Sequence, residues 1–123
     1  MPSLAEASLT SIERRVLDRL VVLLRREYRD ALRSVWLYGS RARGEPPRPE
    51  SDVDVLVVLA REQAGHRLRV VELEIEAALA EGGEPAFFST HVYTSERLAQ
   101  RREIRSFFLQ EVDRDKVVLF GES

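Results

Sequence analysis

The run Val55-Leu56-Val57-Val58-Leu59 constrains this chain more than any other segment. Consecutive apolar residues, three of them β-branched, suit a strand. Strand side chains alternate between faces, so an unbroken apolar run puts oily groups on both. Such a strand must be covered above and below. The chain is therefore committed to a sheet with helices packed on it.

The remaining elements fit that frame. Thr10 and Glu13 have capping-box spacing. After them Ile12, Val16, Leu20, Leu24 and Tyr28 recur every fourth residue, with Leu17 and Val21 beside them and arginines on the other face. That pattern predicts an amphipathic helix. Val35-Trp36-Leu37-Tyr38 predicts a short strand stopped by Gly39. Residues 45–50, Glu-Pro-Pro-Arg-Pro-Glu, predict a loop, because their prolines remove backbone donors. Asp52 to Leu59 is the second strand. Over 66–81, Leu68, Val71, Ile75 and Ala78 fit a helix ended by Gly82-Gly83. The alternation in Val71-Glu72-Leu73-Glu74-Ile75-Glu76 leaves a strand as the alternative. Pro85 to Tyr93 predicts a third strand. Thr94 or Ser95 caps a last helix with Ile104, Phe107, Phe108 and Val112 on its core face. Lys116 to Phe120 predicts a short terminal strand. The expected architecture is α/β (α+β), a small mixed sheet with helices packed on it, built as a single domain over residues 1–123.

Composition excludes several classes. The chain has no cysteine, so it has no disulfide framework and no thiolate metal site. His66 and His91 are its only histidines, too few for a histidine-rich zinc site; His66 reads as a surface residue. The formal net charge of −2 argues against a dedicated duplex-binding protein. No apolar run approaches a membrane span, and residues 1–15 lack the basic start and apolar stretch of a signal peptide. A cytoplasmic protein is expected.

Chemistry concentrates in Tyr38-Gly39-Ser40-Arg41-Ala42-Arg43-Gly44 and, after the proline loop, Ser51-Asp52-Val53-Asp54. Strand alternation aims Asp52 and Asp54 at one face, about 7 Å apart. Burying two such carboxylates without a counterion is expensive, and oxygen-only ligands suit Mg²⁺ completed by substrate phosphates. Glycine permits close backbone approach, exposed N–H groups in a turn make an anion nest, and the Ser40 hydroxyl adds a donor. Arg41 and Arg43 are candidates to neutralise phosphate charge. Anion nest and acidic clamp together point to a nucleoside triphosphate held through magnesium. Taken singly, an Asp-x-Asp, a Gly-Ser turn or a basic loop is commonplace; the conjunction is specific.

The pattern resembles the nucleotidyltransferases of the DNA polymerase β-like superfamily. Their signature is a hydrophobic residue, Gly, Gly or Ser, a spacer, then Asp, a hydrophobic residue, and Asp or Glu. Here these are Tyr38, Gly39, Ser40, residues 41–51, Asp52, Val53 and Asp54. The fuller string resembles the minimal, stand-alone members of bacteria and archaea. The resemblance implies a polymerase β palm-like fold. It implies triphosphate contacts from Gly39 and Ser40, and Mg²⁺ (or Mn²⁺) held by Asp52 and Asp54. It also implies transfer of a nucleoside monophosphate, AMP from ATP, with pyrophosphate leaving. Minimal members often act beside an all-helical HEPN-domain protein, in some cases as the antitoxin that adenylylates a toxic ribonuclease. A HEPN partner or a homo-oligomer is accordingly expected.

The chain departs from the family at one point. Active members carry a third carboxylate on a later strand, and Pro85 to Tyr93 contains no Asp or Glu. His91 lies near the expected position with Ser89 on the same face; a strand over 69–77 would offer Glu72, Glu74 or Glu76 instead. The alternative function is therefore a non-catalytic nucleotide-binding or interaction module.

Overall fold

The computed structural model describes residues 3–48 and 51–123. Helix α1 (Ser11–Tyr28) starts where the capping box predicts. The Thr10 hydroxyl accepts from the Glu13 N–H at 3.1 Å, and the Glu13 carboxylate accepts from the Thr10 N–H at 2.8 Å. Then follow β1 (Leu32–Tyr38), the single turn α2 (Gly39–Ala42), β2 (Val53–Leu59) and α3 (His66–Ala80). After these come β3 (Phe88–Thr94), α4 (Ser95–Glu103), α5 (Phe107–Asp115) and β4 (Val117–Gly121). Pro49 and Glu50 of the proline loop lie outside the described residues; Glu45 to Arg48 are irregular.

The strands form one mixed sheet in the order β3-β2-β1-β4. β1 is antiparallel to both β2 and β4, while β2 and β3 are parallel and joined by the α3 crossover. β2 is thus internal, and Val55 to Leu59 are at most 3% exposed. Val53, Val55, Val57 and Leu59 pack with α1 and α3 on one face. Leu56 and Val58 pack on the other with Trp36, Leu98, Leu109 and Val112. Among the described residues no helix is long and apolar enough to cross a membrane.

Four expectations need correction. The third strand begins at Phe88, because Pro85–Phe87 form a 3-10 turn. The last helix is two helices, since Arg105 takes a left-handed φ of 53° and breaks the run. The break turns Ile104 and Phe107 outward, 67% and 74% exposed, and leaves Phe108 and Val112 inside. In α3 the helix reading holds, but the buried face is His66, Val70, Leu73, Glu74, Ala77 and Ala78. Leu68, Val71 and Ile75 face outward. This helix is apolar on both sides, so periodicity alone does not choose its inner face. His66 is 3% exposed rather than a surface residue, and its Nδ1 accepts from the Gln63 N–H at 3.2 Å.

Glu74 is 4% exposed, and its Oε2 has no hydrogen-bond partner among the described residues. Burial pushes its carboxyl up to about 7. A group whose folded pKa is raised stabilises the fold fully below its unfolded value and loses that contribution as pH rises through the folded value. Glu74→Leu is therefore expected to raise stability by about 2–3 kcal/mol at pH 8 and by much less at pH 4.5. Denaturant melts at the two pH values check this, and an equal effect at both would exclude ionisation as the cause.

Candidate active site

The site forms where β1 ends beside the start of β2. The antiparallel register sets Tyr38 opposite Asp54. Gly39 then turns the chain at φ +80°, a left-handed conformation that glycine adopts without penalty. A Cβ at that position would collide with the Asp54 carboxylate oxygen Oδ2. The glycine thus lets backbone approach the acid directly. The turn continues into α2, whose first N–H groups have no partner within the helix. Ser40, partly exposed, sits in that first turn.

Asp52 is exposed and Asp54 half-buried. Burial first, then the charge of Asp52, pushes the Asp54 carboxyl up to about 6, against the opposing pull of Arg41 and Arg43. The pair therefore presses on itself, the condition that a cation relieves. Tyr38 feels the same field: burial and then the Asp54 charge push its hydroxyl pKa up.

On the other side of β2, the parallel register sets Ser89 beside Asp54 and His91 beside Leu56. Both therefore share the face of Asp54. Ser89 Oγ and His91 Nε2 lie 3.4 Å apart. Phe108 of α5 floors this surface, with ring centroids 5.5 Å from Tyr38, 6.5 Å from His91 and 6.2 Å from Tyr93. Among the described residues no three His, Asp or Glu side chains cluster as a metal site. The glutamates of α3 do not complete it, because α3 packs on the opposite face of the sheet.

The two arginines have other partners than a phosphate. Arg41 is 6% exposed. Its Nη1 and Nη2 donate to the two Glu13 carboxylate oxygens at 2.8 and 3.0 Å, and Nη1 also donates to the Ser8 carbonyl at 2.9 Å. Burial alone would raise the Glu13 carboxyl, but the Arg41 hydrogen bonds and those of Thr10 bring it below its ordinary value. Arg41 therefore ties α2 to the start of α1, and its charge has a buried partner in Glu13. Arg43 lies closer to solvent. It donates to Glu45 at 2.6 Å and to the Asp115 carboxylate at 3.0 Å, both of which an incoming anion must compete with. Arg114 first, then Arg43, holds the Asp115 carboxyl below its usual range. Glu13, Asp115 and Phe108 are the contributors that sequence reasoning missed. Arg41 and Glu13 are 28 residues apart and Arg43 and Asp115 are 72 apart, so no local spacing signals either pairing.

The family model described as "Polymerase beta, Nucleotidyltransferase" matches residues 22–122. The chain belongs to this nucleotidyltransferase family. Two solved structures share the nucleotidyltransferase fold at low identity. One is a variant of the toxin–antitoxin complex MntA–HpeT, 19% identical, with a TM-score of 0.51 over 84% of this chain and 72% of that one. The other is the tri-AMPylated Shewanella oneidensis HEPN toxin in complex with MNT antitoxin, 18% identical, with a TM-score of 0.50 over 87% of this chain and 71% of that one. No curated protein matches the chain.

In this nucleotidyltransferase, Asp52 and Asp54 are the donor set that suits a hard divalent cation. Asp52 just precedes β2, and its charge reaches Asp54 and helps raise that carboxyl. Water and substrate oxygens would complete the shell, as two-carboxylate Mg²⁺ sites require. Gly39→Ala tests the packing that creates this arrangement. The new methyl meets Asp54 and the backbone is left-handed. The expected cost is about 2–3 kcal/mol with displacement of the Asp54 carboxylate. Melting curves, and nucleotide affinity measured on the folded fraction, check both effects. A variant as stable as the parent would refute the close approach.

Proposed function

We propose that this chain transfers AMP from ATP to an acceptor group on a HEPN-type partner protein, with Mg²⁺ (or Mn²⁺) held by Asp52 and Asp54. The observation that carries this reading is the juxtaposition of the Asp52/Asp54 pair with the Gly39-Ser40 turn, backbone against carboxylate. Gly39 and Ser40 offer donors to the triphosphate, and Arg43 can trade Glu45 or Asp115 for a phosphate oxygen. In the reaction, the acceptor oxygen forms a bond to the α-phosphorus and the bond to the bridging oxygen of pyrophosphate breaks. The bound metal supplies Lewis-acid stabilisation of the charge that develops on those oxygens. Ser89 and His91 flank Asp54, and the exposed imidazole is positioned to take the acceptor's proton. The partner is argued from the likeness to the antitoxin fold in a complex whose toxin is AMPylated.

A second reading, a nucleotide-binding module without transfer, is favoured by the lack of any Asp or Glu on β3. Two measurements distinguish them. Calorimetric titration of ATP is expected to show a Mg²⁺-dependent binding event that is lost in EDTA and in Asp52→Asn/Asp54→Asn. Incubation of labelled ATP with a co-expressed HEPN protein is then expected to label that protein. Metal-dependent binding without any labelling would favour the module, and no binding would defeat both.

A further inference from the structure

A cleft of about 760 Å³ lies between the C-terminal half of α1, the turn Arg29–Ala31 and the β1–β4 edge of the sheet. It lies at the far end of β1 from Tyr38, roughly 20 Å from the acidic pair. Arg25, Arg26, Arg29 and Arg33 line it, together with Phe120, and Asp30 is the single carboxylate in its wall. In a chain with eighteen arginines, exposed ones are ordinary. Eleven of the eighteen form no ion pair among the described residues, and four of these gather in this one cleft. Arg15, Arg19, Arg41, Arg43, Arg69, Arg102 and Arg114 all form ion pairs. Among the described residues none of the four in the cleft does, because no carboxylate oxygen comes within 4.0 Å of them. The dipole of α1 accounts for Arg25 and Arg26 in its last turn. It does not account for Arg33 on β1. Nor does it explain Arg29, held at φ 47° and ψ −123°, where an L side chain is strained. The Arg25 guanidinium rests 4.9 Å from the centre of the Phe120 ring, which fixes it in the cleft.

The geometry points to a second anion site here, for the oligophosphate chain of a nucleoside triphosphate or of inorganic polyphosphate. Four arginines lining one hollow match several phosphates better than a lone carboxylate. The volume falls within the range of small-ligand sites. The net charge of −2 on the whole chain speaks against an extended nucleic acid, which needs a basic surface beyond one hollow. The inference stands apart from the proposed transfer reaction, since it uses none of that site's residues.

The test is titration of sodium tripolyphosphate, ATP and AMP into the full chain in EDTA, which leaves the acidic pair without metal. Saturable binding of tripolyphosphate and ATP is expected, with AMP weaker by about tenfold or more. Tighter binding of ATP than of tripolyphosphate would assign the site to the nucleotide, and equal binding to the phosphate chain alone. Arg25→Gln/Arg33→Gln, both at exposed positions, is expected to weaken tripolyphosphate by about tenfold or more while leaving Mg²⁺-dependent ATP binding intact. Arg29→Gly is expected to weaken the anion yet raise the melting temperature, because glycine relieves the strained backbone. Three outcomes would overturn the proposal: no binding by the parent chain, unchanged affinity in both variants, or a single-stranded RNA that binds this cleft more tightly than tripolyphosphate.

Discussion

Asp54→Asn is expected to abolish magnesium-dependent ATP binding and to lower nucleotidyl transfer by about a thousandfold or more. The amide keeps the shape of the side chain, and its Oδ1 remains an acceptor. It removes the negative charge that would hold a divalent ion, and the exposed Asp52 alone makes a weak site. Stability should move the other way. Burial and the neighbouring Asp52 charge both oppose ionisation of Asp54, so neutralising it relieves the metal-free fold. The melting temperature in EDTA is thus expected to hold or rise while function disappears. Loss of function with a falling melting temperature would mark Asp54 as a structural carboxylate instead. Asp52→Asn is expected to show the same loss of binding with little change in stability, because that residue is exposed.

Arg41→Ala is expected to cost about 3–5 kcal/mol, the largest stability effect outside the apolar core. The pair it forms with Glu13 is buried at both ends, with side chains 7% and 11% exposed. Removing the guanidinium strands a charged carboxylate inside and leaves the Ser8 carbonyl without a donor it now uses. Arg41→Lys keeps the charge but not the two parallel hydrogen bonds, so it should recover only part of the loss. The double variant Glu13→Leu/Arg41→Met removes both charges and is expected to cost less than Arg41→Ala alone. Urea unfolding of the three variants checks the series. A double variant as unstable as the single one would show that the stranded Glu13 charge is not what makes Arg41→Ala costly. A further consequence is local: α2 is the element that carries Ser40, so loosening its tie to α1 should weaken ATP even where the chain stays folded.

Much of the fold was legible because its strongest signals are local. The apolar run of β2 required cover on both faces and received it from α1 and α3 on one side and α4 and α5 on the other. The Thr10–Glu13 box started α1, and Gly82 with Gly83 closed α3 through a left-handed turn. The errors arose where a segment was apolar on more than one side. In α3 the outward residues Leu68, Val71 and Ile75 looked as oily as the inward ones, and only contact with α1 and the sheet chose between them. In the last helical stretch the periodicity ran through 95–115, and the break at Arg105 has no glycine or proline to announce it.

For the site, the sequence by itself determined the chemical inventory: two carboxylates two residues apart opening a strand, and a glycine and serine closing the strand before it. Those residues are informative because alternation and turn chemistry act over a few bonds. Only the tertiary structure decided their company. Antiparallel register carried Tyr38 and Gly39 against Asp54, and parallel register carried Ser89 and His91 to its other flank. Long-range ion pairing took Arg41 into the interior with Glu13 and set Arg43 against Asp115. Charges find partners through space, so residues 28 and 72 positions apart met for reasons that no local spacing contains.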